Sequence, residues 1–114
     1  MYRRYVVKTN ICIFPNTLGA GLQIMHPGFR RVDIMVRGGD NCTLLPLVLF
    51  GKKRPGEKGT IIMGDNCYVG TGATILGPVR IGSNVTIAAG AVVIDDIPDN
   101  CIVGGVPAKI IKYK

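Results

Sequence analysis

The sequence predicts an all-β chain wound as a solenoid of short parallel strands. Three observations predict it: aliphatic residues recur every six positions through the second half, small residues tend to follow them, and Gly supplies 16 of 114 residues, about twice the usual share. A period of six matches neither the 3.6 of a helix nor the 2 of a long strand. It suits short strands joined by corners where Gly, Asn or Asp tolerates unusual backbone angles. Repeats too small to fold alone then build a continuous core by stacking.

The elements follow from that period. Met63, Val69, Ile75, Ile81, Ile87 and Val93 hold one inward position. Gly64, Gly70, Gly82 and Ala88 follow as small neighbours, with Leu76 and Ile94 as exceptions. Four residues after each aliphatic, Cys67, Ala73, Val79, Val85, Ala91 and Ile97 hold a second inward position. Three hexapeptides close one triangular coil, so Met63 is expected to stack on Ile81, Val69 on Ile87 and Ile75 on Val93. Upstream, the register reaches Val32, Gly38, Leu44 and Phe50, with Val36, Cys42 and Val48 beside them; Gly38 is a poor inward residue. From Phe50 to Met63 the step is thirteen where two hexapeptides give twelve, and the string Gly51-Lys52-Lys53-Arg54-Pro55-Gly56-Glu57-Lys58-Gly59 is polar, basic and rich in breakers. This predicts one loop extruded from the coil at about 51–61. Leu18-Gly19 and Ile24-Met25 add two repeats, and the step of eight from Ile24 to Val32 bulges two extra residues around His26, the sole histidine.

Length bounds the chain to a single small domain over 1–114. With 47% apolar and 18% charged residues it has material for a core, and with no Trp and 6% aromatics that core is narrow. The apolar run from Leu44 to Phe50 contains Pro46 and is far shorter than the ~20 residues of a membrane helix, so no membrane span is expected. Behind Met1-Tyr2-Arg3-Arg4-Tyr5 there is no apolar stretch with a small-residue cleavage site, which makes cytoplasmic residence the expectation. The cysteines at 12, 42, 67 and 101 form no CxxC pair or zinc-type spacing and read as buried thiols, with no metal site. The net charge of +7 gathers in Arg3, Arg4 and Lys8, in Lys52, Lys53, Arg54 and Lys58, and in Lys109, Lys112 and Lys114. Such clusters attract nucleic acid, an anionic membrane or a phosphorylated small molecule, or simply solvate termini and a loop.

Three strings together resemble the hexapeptide-repeat acyltransferases, and within them the serine acetyltransferase-like branch that includes sugar and polysaccharide O-acetyltransferases. They are Ile62-Met63-Gly64-Asp65-Asn66-Cys67-Tyr68-Val69-Gly70-Thr71-Gly72-Ala73, then Ile81-Gly82-Ser83-Asn84-Val85, and Val93-Ile94-Asp95-Asp96-Ile97-Pro98-Asp99-Asn100 running into Val103-Gly104-Gly105-Val106-Pro107-Ala108-Lys109-Ile110. The resemblance covers about residues 11 to 112. It implies a left-handed parallel β-helix, an exception to right-handed crossovers that short corners permit. It also implies a homotrimer with active sites between neighbouring subunits. Relatives in the serine branch carry an N-terminal helical region that this sequence lacks, which implies a minimal form or a fragment.

Moving acetyl from a thioester to a hydroxyl needs a base to take the hydroxyl proton, and histidine suits that at neutral pH. His26, in Gly21-Leu22-Gln23-Ile24-Met25-His26-Pro27-Gly28, falls where the family's catalytic histidine falls and is implied as the general base. In the family, coenzyme A lies along a groove between subunits against small turn residues; Gly51, Thr71 and Ala89 occupy those places. Lys109 resembles the basic residue near the nucleotide phosphates, and Lys52 could contribute from the loop. A polyanionic cofactor suits a chain of +7. The pattern departs at Met25 and Cys12, where serine acetyltransferases carry Asp, near Thr60, where they carry a second histidine, and at Pro46, where many polysaccharide relatives carry one. Asp95 stands where relatives often have Lys. The losses at the acceptor site argue against L-serine as acceptor.

The sequence therefore predicts an acetyl-CoA-dependent O-acetyltransferase acting on a hydroxyl of a sugar, a polysaccharide precursor or another small molecule, as a homotrimer that binds no nucleic acid. The alternative is a catalytically degenerate trimer that scaffolds a partner. A basic binding module lacks aromatic stacking positions and any nucleic-acid signature. A zinc carbonic anhydrase needs several histidine ligands where this chain has one.

Overall fold

The computed structural model describes residues 11–13, 18–24, 30–32, 35–56 and 58–114, the first and third of these segments as backbone. Fourteen strands and no helix occur among them. In chain order the strands are β1 (Ile11–Ile13), β2 (Gln23–Ile24), β3 (Arg30–Val32), β4 (Val36–Gly38), β5 (Thr43–Leu44), β6 (Leu49–Lys52), β7 (Ile61–Met63), β8 (Tyr68–Val69), β9 (Thr74–Gly77), β10 (Val79–Ile81), β11 (Thr86–Ile87), β12 (Val92–Val93), β13 (Cys101–Gly104) and β14 (Lys109–Tyr113). They form three sheets: β1-β3-β6-β9-β12, then β10-β7-β4, then β14-β13-β11-β8-β5-β2. Neighbouring strands are parallel except β13 and β14, which pair antiparallel and finish the last coil. Three sheets visited in rotation make a left-handed β-helix of triangular section.

The predicted ladders are present. Met63 stands opposite Ile81, Val69 opposite Ile87 and Ile75 opposite Val93. One cluster of buried residues, running from Val36 to Val103, fills the prism. Each inward side chain is covered by the coils above and below, so even narrow aliphatics are almost fully removed from water, at roughly 25 cal/mol per Å² of apolar surface.

The irregular steps resolve into three local events. Ile24 faces Leu44 while Arg31 faces Leu49, which places the two extra residues between β2 and β3, as the spacing predicts. Gly38, Leu44 and Phe50 face Met63, Val69 and Ile75. Phe50 to Met63 is therefore one side of the prism carrying seven inserted residues, rather than two sides carrying one. The loop is also shorter than its expected bounds, because Gly51 and Lys52 complete β6 and Ile61 opens β7. In the last coil Ile97 faces Ile81, so this side is two residues short and Ile97 takes the first inward position instead of the second. Ile97 is buried here, and because both inward positions take apolar residues the sequence could not separate the two registers.

The corners repeat from coil to coil. Asn41, Asn66, Asn84 and Asn100 share one corner, with φ of 58°, 57°, 57° and 58°. This is the left-handed region that Asn enters more easily than other side chains. Beside them runs a ladder of side-chain acceptors. Asp40 Oδ1 accepts from the Ala20 N–H (2.9 Å), Asp65 Oδ1 from Asp40 N–H (2.8 Å), Ser83 Oγ from Asp65 N–H (3.0 Å) and Asp99 Oδ1 from Ser83 N–H (2.8 Å). Cys42, Cys67, Val85 and Cys101 follow on the inner side, all buried, and the three cysteines are free thiols as predicted.

Candidate active-site groove

The outer surface of the five-stranded sheet carries a groove of about 510 Å³. Strand alternation builds it. Phe50 and Ile75 point inward, so Leu49, Gly51, Thr74 and Leu76 face out and form the floor. Gly51 faces Leu76 across the sheet, and a Cβ at Gly51 would lie 3.3 Å from Leu76 Cδ2. The groove is open there because position 51 has no side chain. Met35 adds apolar surface, while Lys52, Arg54 and Pro55 from the loop root form one end. An apolar trough closed by two cations suits an elongated ligand with an apolar arm and an anionic end.

Two of the donor-binding residues expected from the resemblance, Gly51 and Lys52, therefore line this groove. Thr71 and Ala89 sit exposed on the corner from which β9 and β12 start, linked by the Gly90 N–H donating to Thr71 O at 2.9 Å. Pro46 occupies the same corner one coil earlier, accepting from the Gly72 N–H at 2.9 Å. Lys109 opens β14 opposite Gly104. The preceding Ala108 N–H donates to Val92 O at 2.8 Å, which sets Lys109 beside the C-terminal margin of the same sheet. The five residues thus border one face, two in the groove, two along its starting edge and one at its end.

His26, with Met25 beside it, lies outside the described residues, as does the side chain of Cys12. The strands that bracket His26 in sequence, β2 and β3, belong to the six-stranded and five-stranded sheets. Those two sheets are joined in later coils by the corner of Pro46, Thr71 and Ala89. Thr60 is on another face, lining a cleft of about 230 Å³ with Ile62, Pro78, Val79, Arg80 and Asp96. Among the described residues no group of three or more His, Cys, Asp or Glu is arranged to hold a metal ion, and no helix is long and apolar enough to cross a membrane. Sequence reasoning missed Leu49, Leu76 and Arg54 as groove residues. The available signal was Leu76 itself, a large residue in a slot the repeat usually fills with a small one.

Residues 60–95 match the family described as bacterial transferase hexapeptide (six repeats). Over 105 residues the chain is 35% identical to a serine acetyltransferase of Synechococcus elongatus, an alignment covering 90% of this chain and 43% of that protein. The crystal structure of serine acetyltransferase from Neisseria gonorrhoeae superimposes with a TM-score of 0.85 at 31% identity, over 98% of this chain and 44% of that one. Over these stretches the chain resembles the hexapeptide-repeat acetyltransferases, and its β-helix carries their repeat. It also resembles, over a shorter stretch, the 2,3,4,5-tetrahydropyridine-2,6-dicarboxylate N-acetyltransferase of Staphylococcus aureus, at 42% identity over 65 residues, 57% of this chain and 27% of that protein. The chain spans less than half the length of these family members.

Proposed function

We propose that this hexapeptide-repeat chain is the catalytic β-helix of an acetyl-CoA-dependent O-acetyltransferase. The acceptor is a hydroxyl of a sugar, a polysaccharide precursor or another small molecule. The observation that carries the reading is the groove on the five-stranded sheet, where the apolar floor of Leu49, Gly51 and Leu76 ends at Lys52 and Arg54. The pantetheine arm of acetyl-CoA would lie on that floor with its phosphates toward the cations, and Thr71, Ala89 and Lys109 would border its path. The active assembly is a cytoplasmic homotrimer in which the groove is completed by the neighbouring subunit.

His26 is the base. It takes the proton of the acceptor hydroxyl as the oxygen attacks the thioester carbonyl carbon. The carbon–sulfur bond then breaks, and the imidazolium returns the proton to the departing coenzyme A sulfur. A base of this kind contributes about 10²- to 10⁴-fold, and holding donor and acceptor together supplies much of the rest. Serine is the acceptor in the relatives' names, and Met25, in place of the family's Asp, is the reason to screen other hydroxyls beside it.

The test is calorimetric titration of acetyl-CoA into the purified protein with its assembly state recorded on the same sample. Saturable binding at one site per chain of a trimer is the expected result. An intact trimer that takes up no acetyl-CoA would replace this reading with that of a scaffold whose residues at 12, 25, 46 and 60 have lost their chemistry.

A further inference from the structure

The root of the extruded loop is packed directly against Lys52. Gly59 is buried, has φ +63°, and lies against the aliphatic stem of Lys52. A Cβ at position 59 would collide with Lys52 Cγ and approach Lys52 Cβ to 3.1 Å and Cδ to 3.3 Å. These are root atoms of the side chain, so relief requires Lys52 to leave its rotamer and carry its ammonium group several ångströms away. Gly59 is itself fixed, because its carbonyl packs on Gly77, which likewise has no room for a side chain. The loop is fastened again by Lys53, whose N–H donates to Gly77 O at 2.9 Å and whose Nζ donates to Pro78 O at 3.3 Å. Lys53 is thereby turned away, while Lys52 and Arg54 line the groove.

We infer that Gly59 is a positioning residue that aims the Lys52 ammonium at the end of the groove. There Lys52 and Arg54 form a two-cation subsite for the phosphate groups of the acyl donor. The inference rests on the acetyl-CoA reading above and adds to it the residue that sets the subsite and the part of the donor it recognises. Lys52, held in place by Gly59 on a short, fastened loop root, needs little further ordering when a phosphate binds.

The experiment compares acetyl-CoA with S-acetylpantetheine, which has the same thioester arm and no phosphates, on the assembled protein. Asn is the substitute of choice, because it tolerates a positive φ and isolates the collision from backbone strain. Gly59→Asn should weaken acetyl-CoA binding about tenfold, the size expected for loss of one charge-assisted contact, and leave S-acetylpantetheine unchanged. Gly56→Asn is the control, since Gly56 lies in the same loop at φ +85° with open space around it, and both donors should bind it as they bind the parent. In a Lys52→Met background, Gly59→Asn should cause no further loss. Equal weakening of both donors, or an undiminished effect without Lys52, would overturn the inference and leave Gly59 a purely structural residue. Parent protein that binds acetyl-CoA while Gly59→Asn binds it equally well would overturn the inference alone. Parent protein that binds neither donor would overturn the acetyl-CoA reading and the inference with it.

Discussion

Leu47 and Gly72 occupy the same corner of successive coils, and both have left-handed backbones, with φ of 65° and 74°. Gly90 continues the column at 73°. Leucine therefore stands where the next two coils use glycine, at a cost of about 1–2 kcal/mol for the conformation, and its side chain is 55% exposed. Within the chain that strain is not offset by burial. Leu47→Asn should raise stability by about 1 kcal/mol and the Tm by a few degrees, measured on the isolated protein by thermal denaturation. A fall in Tm would show that Leu47 is packed against something in the assembled state.

The contrast between Leu47 and its column explains how much of the molecule the sequence disclosed. Ile75, Ile87 and Val93 were legible because an inward position tolerates only apolar residues and repeats with the coil. Corner residues are constrained by backbone angle, which Asn66 and Gly72 advertise and Leu47 does not. The last coil was misread at Ile97 because both inward registers want the same kind of residue. The antiparallel return of β14 left no periodic trace, since all five of its residues are exposed. At the groove, Gly51 and Lys52, expected from the resemblance, are among the lining residues. The pairing of Gly59 with Lys52 depends on how the loop closes across seven positions, which no repeat encodes.

The acceptor ladder at the Asn corner allows charge to be separated from hydrogen bonding. Asp99 Oδ1 takes the N–H of Ser83, in the preceding coil, at 2.8 Å. Asp99→Asn retains an oxygen in that place and should keep stability within about 0.5 kcal/mol, whereas Asp99→Ala should lose about 1 kcal/mol. Chemical denaturation of the two variants checks this. Equal losses would mean that the charge, and not the hydrogen bond, is what the corner uses.

Catalysis and architecture should separate at His26. His26→Ala should lower acetyl transfer by at least about 10²-fold while acetyl-CoA affinity and assembly state stay as in the parent. The corresponding core change behaves in the opposite way. Ile87 is fully buried between Val69 and Val103, and Ile87→Ala should cost about 2–5 kcal/mol, lowering Tm sharply. If His26→Ala transfers acetyl at the parent rate, another group is the base.

Alkaline titration probes the thiol ladder. Cys67 Sγ lies 3.2 Å from Gly82 O, and the neighbouring Cys42 thiol, reinforced by burial, holds its pKa above the ordinary thiol range. The unfolded chain would lose this proton near pH 8.5, while the folded chain keeps it to higher pH. The unfolded state then binds fewer protons than the folded one, so stability contributed by the protonated thiol is complete below about pH 8.5 and is lost progressively as pH rises above it. Val85 fills the same ladder in the next coil, which makes Cys67→Val a shape-compatible replacement costing less than about 1.5 kcal/mol at pH 7. Thermal denaturation from pH 7 to 10 should show a decline in the parent above about pH 8.5 that is smaller in Cys67→Val. Parallel curves for the two proteins would place the alkaline sensitivity elsewhere, and a large loss at pH 7 would mean that the thiol's hydrogen bonds stabilise the corner more than its volume does.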